Sequence, residues 1–156
     1  MKRIRCIVIG KIKARHFRDA AEFYAARIAR YYPLDVAELK DAPGALDQAG
    51  RARQEGRAIL ARLGPQDRPV CLDERGKAMT SRRFAETLGG WIDDPGSQPC
   101  FIIGGAYGLS DEVRGRCAAS LGLGPMTLSH ELARVVLLEQ VYRAAAILHG
   151  HPYHHD

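Results

Sequence analysis

The residues best suited to chemistry fall between Phe101 and Tyr153. A hydrophobic run, Cys100-Phe101-Ile102-Ile103, breaks into the glycine loop Gly104-Gly105-Ala106-Tyr107-Gly108-Leu109. A second turn-rich segment from Leu121 to Ser129, carrying Gly122, Gly124 and Pro125, leads through His130 into a long amphipathic helix pattern that closes on His151-Pro152-Tyr153-His154-His155. Two loops that leave their N–H and C=O groups unscreened, bracketing one short helix, suit a buried planar ligand, so a binding site and its catalytic groups are expected here. The closing histidines invite a metal reading. They lack supporting carboxylates, and Cys6, Cys71, Cys100 and Cys117 are scattered without ligand spacing, so neither a metal nor a disulfide framework is expected.

The elements that must hold these loops alternate in type. Ile4 to Ile9 reads as a first strand, and a helical pattern follows from about Phe17 to Tyr32, ended by Pro33. Val36 to Leu39 reads as a second strand, and the polar stretch Lys40 to Leu46 as a mobile segment at most. A helix is expected over Asp47 to Leu63, stopped by Gly64-Pro65, and a third strand over Pro69 to Leu72. Thr80 or Ser81 should cap a helix through Trp91, and Gln98 to Ile103 should form the fourth strand. Ser110, with Asp111 and Glu112 behind it, has the composition of another helix start. A fifth strand around Met126 to Leu128 and a helix from His130 to Leu148 complete the pattern. Strands alternating with helices imply an α/β domain with a mainly parallel sheet and helices on both faces. Such sheets bind ligands beyond the carboxyl ends of their strands, where Leu72-Asp73, Gly104-Gly105 and Leu128-Ser129 are expected to meet.

Composition narrows the class. The chain has 156 residues, 46% of them hydrophobic, and no apolar run near the ~20 residues of a membrane span. One domain over residues 1–156 is expected. The basic start and short apolar run before Gly10-Lys11 read as a strand, not a secretory leader, which predicts a cytoplasmic protein. The net charge of +5 favours an anionic partner mildly, because the lysines and arginines are spread over several clusters and do not form one stripe.

Glycine after a buried strand is often only a tight turn, and this loop is not the dinucleotide pattern: it follows the fourth strand and no acidic residue stands where a ribose would be held. A nucleotide-dependent oxidoreductase should carry its phosphate loop after the first strand, where Gly10-Lys11-Ile12-Lys13 offers none. A non-catalytic RNA- or ribosome-binding α/β module would keep the charge and stands as the alternative to an enzyme.

Four motifs carry a family resemblance. Leu72-Asp73-Glu74-Arg75-Gly76-Lys77 with Ser81 and Phe84-Ala85, then Ile103-Gly104-Gly105 with Gly108-Leu109-Ser110, then Leu128 and His130 with Arg134-Val135, and finally Glu139-Gln140, Tyr142-Arg143-Ala144 and Pro152-Tyr153-His154 resemble, in order and spacing, the bacterial RlmH family. These are SPOUT-class methyltransferases of large-subunit ribosomal RNA, and the resemblance runs from Val8-Gly10-Lys11 to the last residues. It implies a parallel sheet whose C-terminal segment is threaded as a trefoil knot, a rare exception to ordinary chain connections. It also implies an S-adenosylmethionine pocket comprising Leu72, Gly105, Gly124, Pro125, Met126, Thr127, Leu128 and Ser129, a homodimer built around the last helix, and no metal. The implied substrate is a pseudouridine in 23S rRNA, methylated at the ring nitrogen between its two carbonyls. That nitrogen attacks only once its proton leaves, which makes His130, Arg143, Tyr153, His154 and His155 the candidate catalytic residues. The chain departs from the family pattern at His155, where an arginine or lysine is usual, at Ser129, often a proline, and at Tyr107 within the glycine loop.

Overall fold

An apolar run without alternation is the signature of a strand covered on both faces, and β1 (Ile4–Ile9) is such a strand, buried along nearly its whole length. In the computed structural model, residues 2–155 are described. Met1 and Asp156, the ends of the expected single-domain span, lie outside the described residues. β1 pairs in parallel with β2 (Leu34–Leu39) on one edge and β4 (Gln98–Ile103) on the other. β4 pairs with β3 (Asp67–Ala78), which in turn pairs with β5 (Ala119–Gly122), again in parallel. The resulting order is β2-β1-β4-β3-β5.

Helices cover both faces, as the alternation implied. α1 (Arg15–Ile28), α3 (Ser81–Asp93) and α5 (His130–Leu148) share one core with Ile4, Cys6, Val8 and Phe101. α2 (Gln48–Arg62) and α4 (Asp111–Arg116) pack on the other face against Ile7, Ile9 and Ile102. Asp47, Thr80 and Ser110 cap α2, α3 and α4, each side chain accepting a backbone N–H three residues on. α1 starts earlier and ends sooner than its periodicity suggests. Residues 29–32 close as turns, since a residue before Pro33 is kept out of helical geometry.

Three expectations need correction. The fifth strand is not at Met126 to Leu128 but at Ala119–Gly122, because those weak strand formers find pairing partners in Val70, Cys71 and Leu72. Met126 to Leu128 instead follow Gly124 and Pro125 as irregular chain, with Met126 82% exposed. β3 does not stop at Leu72: it continues, with a pairing irregularity between Leu72 and Lys77, to Ala78. The stretch around Ala42 is anchored, since Ala42 is buried and its N–H donates to Glu55 Oε2 at 3.0 Å.

The four cysteines pack as small hydrophobes. Cys6, Cys71 and Cys100 are buried, and burial pushes the Cys6 and Cys100 thiols up to about 12. Cys117 is half-buried and hydrogen-bonds with Cys71. Among the described residues no helix is long and apolar enough to cross a membrane.

Candidate active site

β3, β4 and β5 all point their carboxyl ends the same way, and the chain leaving them walls a cavity of about 450 Å3. Small-molecule pockets span roughly 300–1,000 Å3. Leu72 enters from β3, Gly105 from the loop after β4, and Gly124, Met126 and Leu128 from the chain after β5. These are five of the eight residues expected to hold a cofactor. The side chains of the other three do different work or none that the cavity sees: Thr127 Oγ1 donates to Glu74 Oε2 at 3.1 Å, Ser129 Oγ caps α5 by accepting the Leu132 N–H at 3.3 Å, and Pro125 is exposed.

Two glycines are required by the geometry. A Cβ on Gly105 would lie 2.8 Å from Glu55 Oε1 and 3.1 Å from Ile9 Cγ2, so only glycine lets the loop pass this close to β1 and α2. Gly124 has φ +130°, a conformation that L side chains rarely adopt. Beyond it, no backbone-to-backbone hydrogen bond among the described residues uses the N–H or C=O groups of residues 124–128. Those groups are available to a ligand.

Sequence reasoning missed an ion pair on the cavity wall. Asp73 Oδ2 accepts from Arg114 Nε at 2.6 Å, and Arg114 Nη1 donates to the Leu109 carbonyl at 2.6 Å, which ties the end of the glycine loop to β3. Partial burial pushes the Asp73 carboxyl up, but the Arg75 N–H at 3.0 Å and the Arg114 guanidinium outweigh it and hold the group below its ordinary value. Asp73 lay inside a quoted motif. Arg114, on a short helix between loops, gave no signal. Tyr107, half exposed at the cavity, stacks beneath Arg51, whose guanidinium carbon is 4.9 Å from the ring centre.

The carboxyl-terminal candidates form a second cluster. Arg143 donates from Nε and Nη2 to Glu139 Oε1 at 3.1 and 2.5 Å, lies 4.7 Å over the Tyr153 ring, and approaches His154 Nδ1 with Nη1 at 3.1 Å. A guanidinium only donates, so that histidine nitrogen is the acceptor. The Tyr153 hydroxyl donates to Glu139 Oε1 at 3.1 Å, and burial together with this carboxylate pushes its phenol up to about 12. Tyr142 backs the ring at 4.5 Å. His155 is exposed.

His130 belongs to neither group. It is the first residue of α5 and half exposed, it does not line the cavity, and the helix is capped by Ser129. The start of α5 is fixed by its neighbours: Glu131 Oε1 accepts the N–H groups of Lys13 and Ala14 at 2.7 and 3.0 Å, and the buried Arg134 donates to the Gly10 carbonyl at 2.6 Å and to Glu38 at 2.7 Å. From His130 to Arg143 the helix rises roughly 20 Å, at about 1.5 Å per residue. Within one chain the cavity takes Ala133 from α5, and the tail cluster is built on Glu139 and Arg143 further along it. Among the described residues, no group of three or more His, Cys, Asp or Glu side chains is placed to hold a metal ion.

Known proteins share both the sequence and the fold. A family model described as "Predicted SPOUT methyltransferase" matches residues 1–154. Proteins named ribosomal RNA large subunit methyltransferase H from Maridesulfovibrio salexigens and Oleidesulfovibrio alaskensis are each 48% identical over 155 residues, covering 99% of this chain and 99% and 100% of theirs. The protein of that name from Lawsonia intracellularis is 44% identical over 154 residues, 99% of this chain and 98% of its own. Among solved structures, a probable methylase family protein from Haemophilus influenzae Rd KW20 matches the whole chain and 72% of its own with a TM-score of 0.57 at 14% identity, a likeness of fold alone.

Proposed function

This chain belongs to the SPOUT methyltransferase family, and from that membership we propose that it methylates ring nitrogen 3 of a pseudouridine in the 23S rRNA of the large ribosomal subunit, with S-adenosylmethionine as donor. The carrying observation is the cavity at the ends of β3, β4 and β5, whose lining suits that donor. Leu72 and Leu128 offer apolar cover for a planar base, and the unpaired backbone groups of residues 124–128 offer its edge both donors and acceptors. When bound, the donor supplies a methyl group already activated by a sulfonium, so no metal is needed. The knotted threading of the C-terminal segment goes with the family.

The protein's own task is to hold the target nucleoside while its ring nitrogen loses a proton. Negative charge then spreads onto the two flanking carbonyl oxygens, and N–H or O–H groups directed at them lower the barrier. Arg143 is a permanent cation, and Tyr153, its phenol pushed up to about 12, stays protonated throughout the neutral range with its O–H held by Glu139. His154 and His155 are the further tail groups offered to the reacting base, and His130, which stands in neither group, has the weakest case of the candidates. No residue of the tail cluster lines the cavity of its own chain, and a homodimer in which the tail of one copy meets the cavity of the other makes a whole site from two half-sites. The apolar faces of α5 do not argue for that dimer, since α1 and α3 of the same chain already cover much of them. A ribosomal substrate places the work in the cytoplasm.

Incubation with radiolabelled S-adenosylmethionine and either free rRNA or assembled ribosomes tests the reading. Label in one pseudouridine of 23S rRNA is the expected result. Failure to bind the donor in calorimetry, with no label in either substrate, would leave a non-catalytic RNA-binding module.

A further inference from the structure

Glu139 only holds the Tyr153 hydroxyl in the reading above, yet its carboxylate is where the tail is assembled. Oε1 receives Arg143 Nε and Nη2 together with the Tyr153 hydroxyl, and Oε2 receives Gln140 Nε2 at 2.7 Å. Gln140 Oε1 in turn accepts the Ser81 hydroxyl at 2.7 Å, which fixes the group to the first residue of α3. An exposed Glu and Arg one helical turn apart is an ordinary surface pair. This one differs, because the carboxylate and the guanidinium keep only 17% and 23% of their side-chain surface exposed, and because a tyrosine from outside the helix shares the same oxygen.

The arrangement decides which face of Arg143 is available. A guanidinium has five N–H groups in one plane. Glu139 takes the side-on pair, from Nε and Nη2, and His154 takes one hydrogen of Nη1. One hydrogen each on Nη1 and Nη2 is left over, and with His154 on the outer hydrogen of Nη1 these two form the end-on fork that fits a carbonyl or a phosphate.

We propose that Glu139 is a positioning residue for methyl transfer: its carboxylate holds Arg143 side-on so that the end-on fork of the guanidinium faces the target nucleotide, and by accepting the Tyr153 hydroxyl it anchors the tail beside that fork. The inference rests on the methyltransferase reading. No bond is made or broken at Glu139, and it touches the target only through Arg143, Tyr153 and, at one further remove, His154.

The test uses full-length Glu139→Gln, Arg143→Ala and the double variant, with rRNA methylation by the wild type as control. Glu139→Gln should keep the unfolding temperature and the S-adenosylmethionine dissociation constant, and should lower kcat on the order of 100-fold, the cost of misplacing a reacting group by about an ångström. Guanidinium ion added at tens of millimolar should restore part of the activity of Arg143→Ala, while tetramethylguanidinium, which lacks the paired N–H groups, should not. The same addition should fail in the double variant, where the docking carboxylate is gone. Wild-type turnover in Glu139→Gln, or equal rescue with and without Glu139, overturns the proposal. If Glu139→Gln does not fold, the single Arg143→Ala variant decides, since absence of guanidinium rescue there overturns it equally. A wild-type protein that transfers no methyl group refutes the underlying reading instead, and so the two failures are told apart.

Discussion

Gly105→Val is expected to weaken the fold and the donor site together, and the magnitude can be worked from its surroundings. The added Cβ points away from the cavity, to 2.8 Å from Glu55 Oε1 and 3.1 Å from Ile9 Cγ2. Neither neighbour can give way freely. Ile9 is buried in the central strand, and Glu55, 4% exposed, is tethered by the Ala42 N–H at 3.0 Å. Overpacking of this kind costs about 1–3 kcal/mol, and pulling the Glu55 carboxylate off a buried N–H costs about 1–3 kcal/mol more. A total of about 2–6 kcal/mol, against the roughly 5–15 kcal/mol of a typical domain, leaves a folded but weakened protein. Relief by displacement of the loop moves the cavity wall, so the dissociation constant of S-adenosylmethionine should rise by more than tenfold, which is about 1.4 kcal/mol. Urea unfolding and titration calorimetry on the same preparations check both numbers. A cycle of Gly105→Ala with Glu55→Ala isolates the cause, because removing the carboxylate should recover part of the loss. An unchanged unfolding midpoint in Gly105→Val, or strict additivity in that cycle, refutes the reasoning.

Three further outcomes are expected. Asp73 has a folded pKa below its unfolded value, so its contribution to stability is present above about pH 4 and is lost as pH falls through the lower, folded value; urea midpoints measured down the acid limb should fall less steeply in Asp73→Asn than in the wild type, and parallel curves would remove the Arg114 pairing from the account. Deleting Pro152 to Asp156 should stop methylation while changing donor affinity only a few-fold, since none of the described residues 152–155 lines the cavity; normal turnover by the truncated chain would take the tail out of the mechanism. If two copies share each site, an inactive cavity variant mixed with an inactive tail variant should recover about a quarter of wild-type activity, because half of the dimers are mixed and each of those has one intact site of two; no recovery after confirmed subunit exchange would show that each chain completes its own site.

Much of this was legible in residue order. The unbroken apolar run of β1, the caps Asp47, Thr80 and Ser110, and the proline at residue 33 act locally, and local signals survive in a single sequence. The fifth strand was misplaced because its pairing is a property of β3: Ala119, Ser120 and Gly122 have little intrinsic preference for a strand, whereas Met126 to Leu128 look better and have no partner. Leu72, Gly105, Gly124, Met126 and Leu128 could be named as pocket residues because each sits in a motif. Arg114 could not, since its importance lies in reaching Asp73 across 41 positions of sequence.

The last helix shows why residue order predicts membership of a site better than its geometry. His130, Arg143 and the tail were grouped by their chemistry, and chemistry alone would put them around one base. α5 spaces them out instead: Glu131 and Arg134 lock its first turn to the chain after β1 and to β2, while Glu139 and Arg143, two to three turns on, gather Tyr153 and His154. In the proposed reading a second copy of the chain, with the same pair of half-sites, carries the Arg143 cluster to a target seated at the cavity.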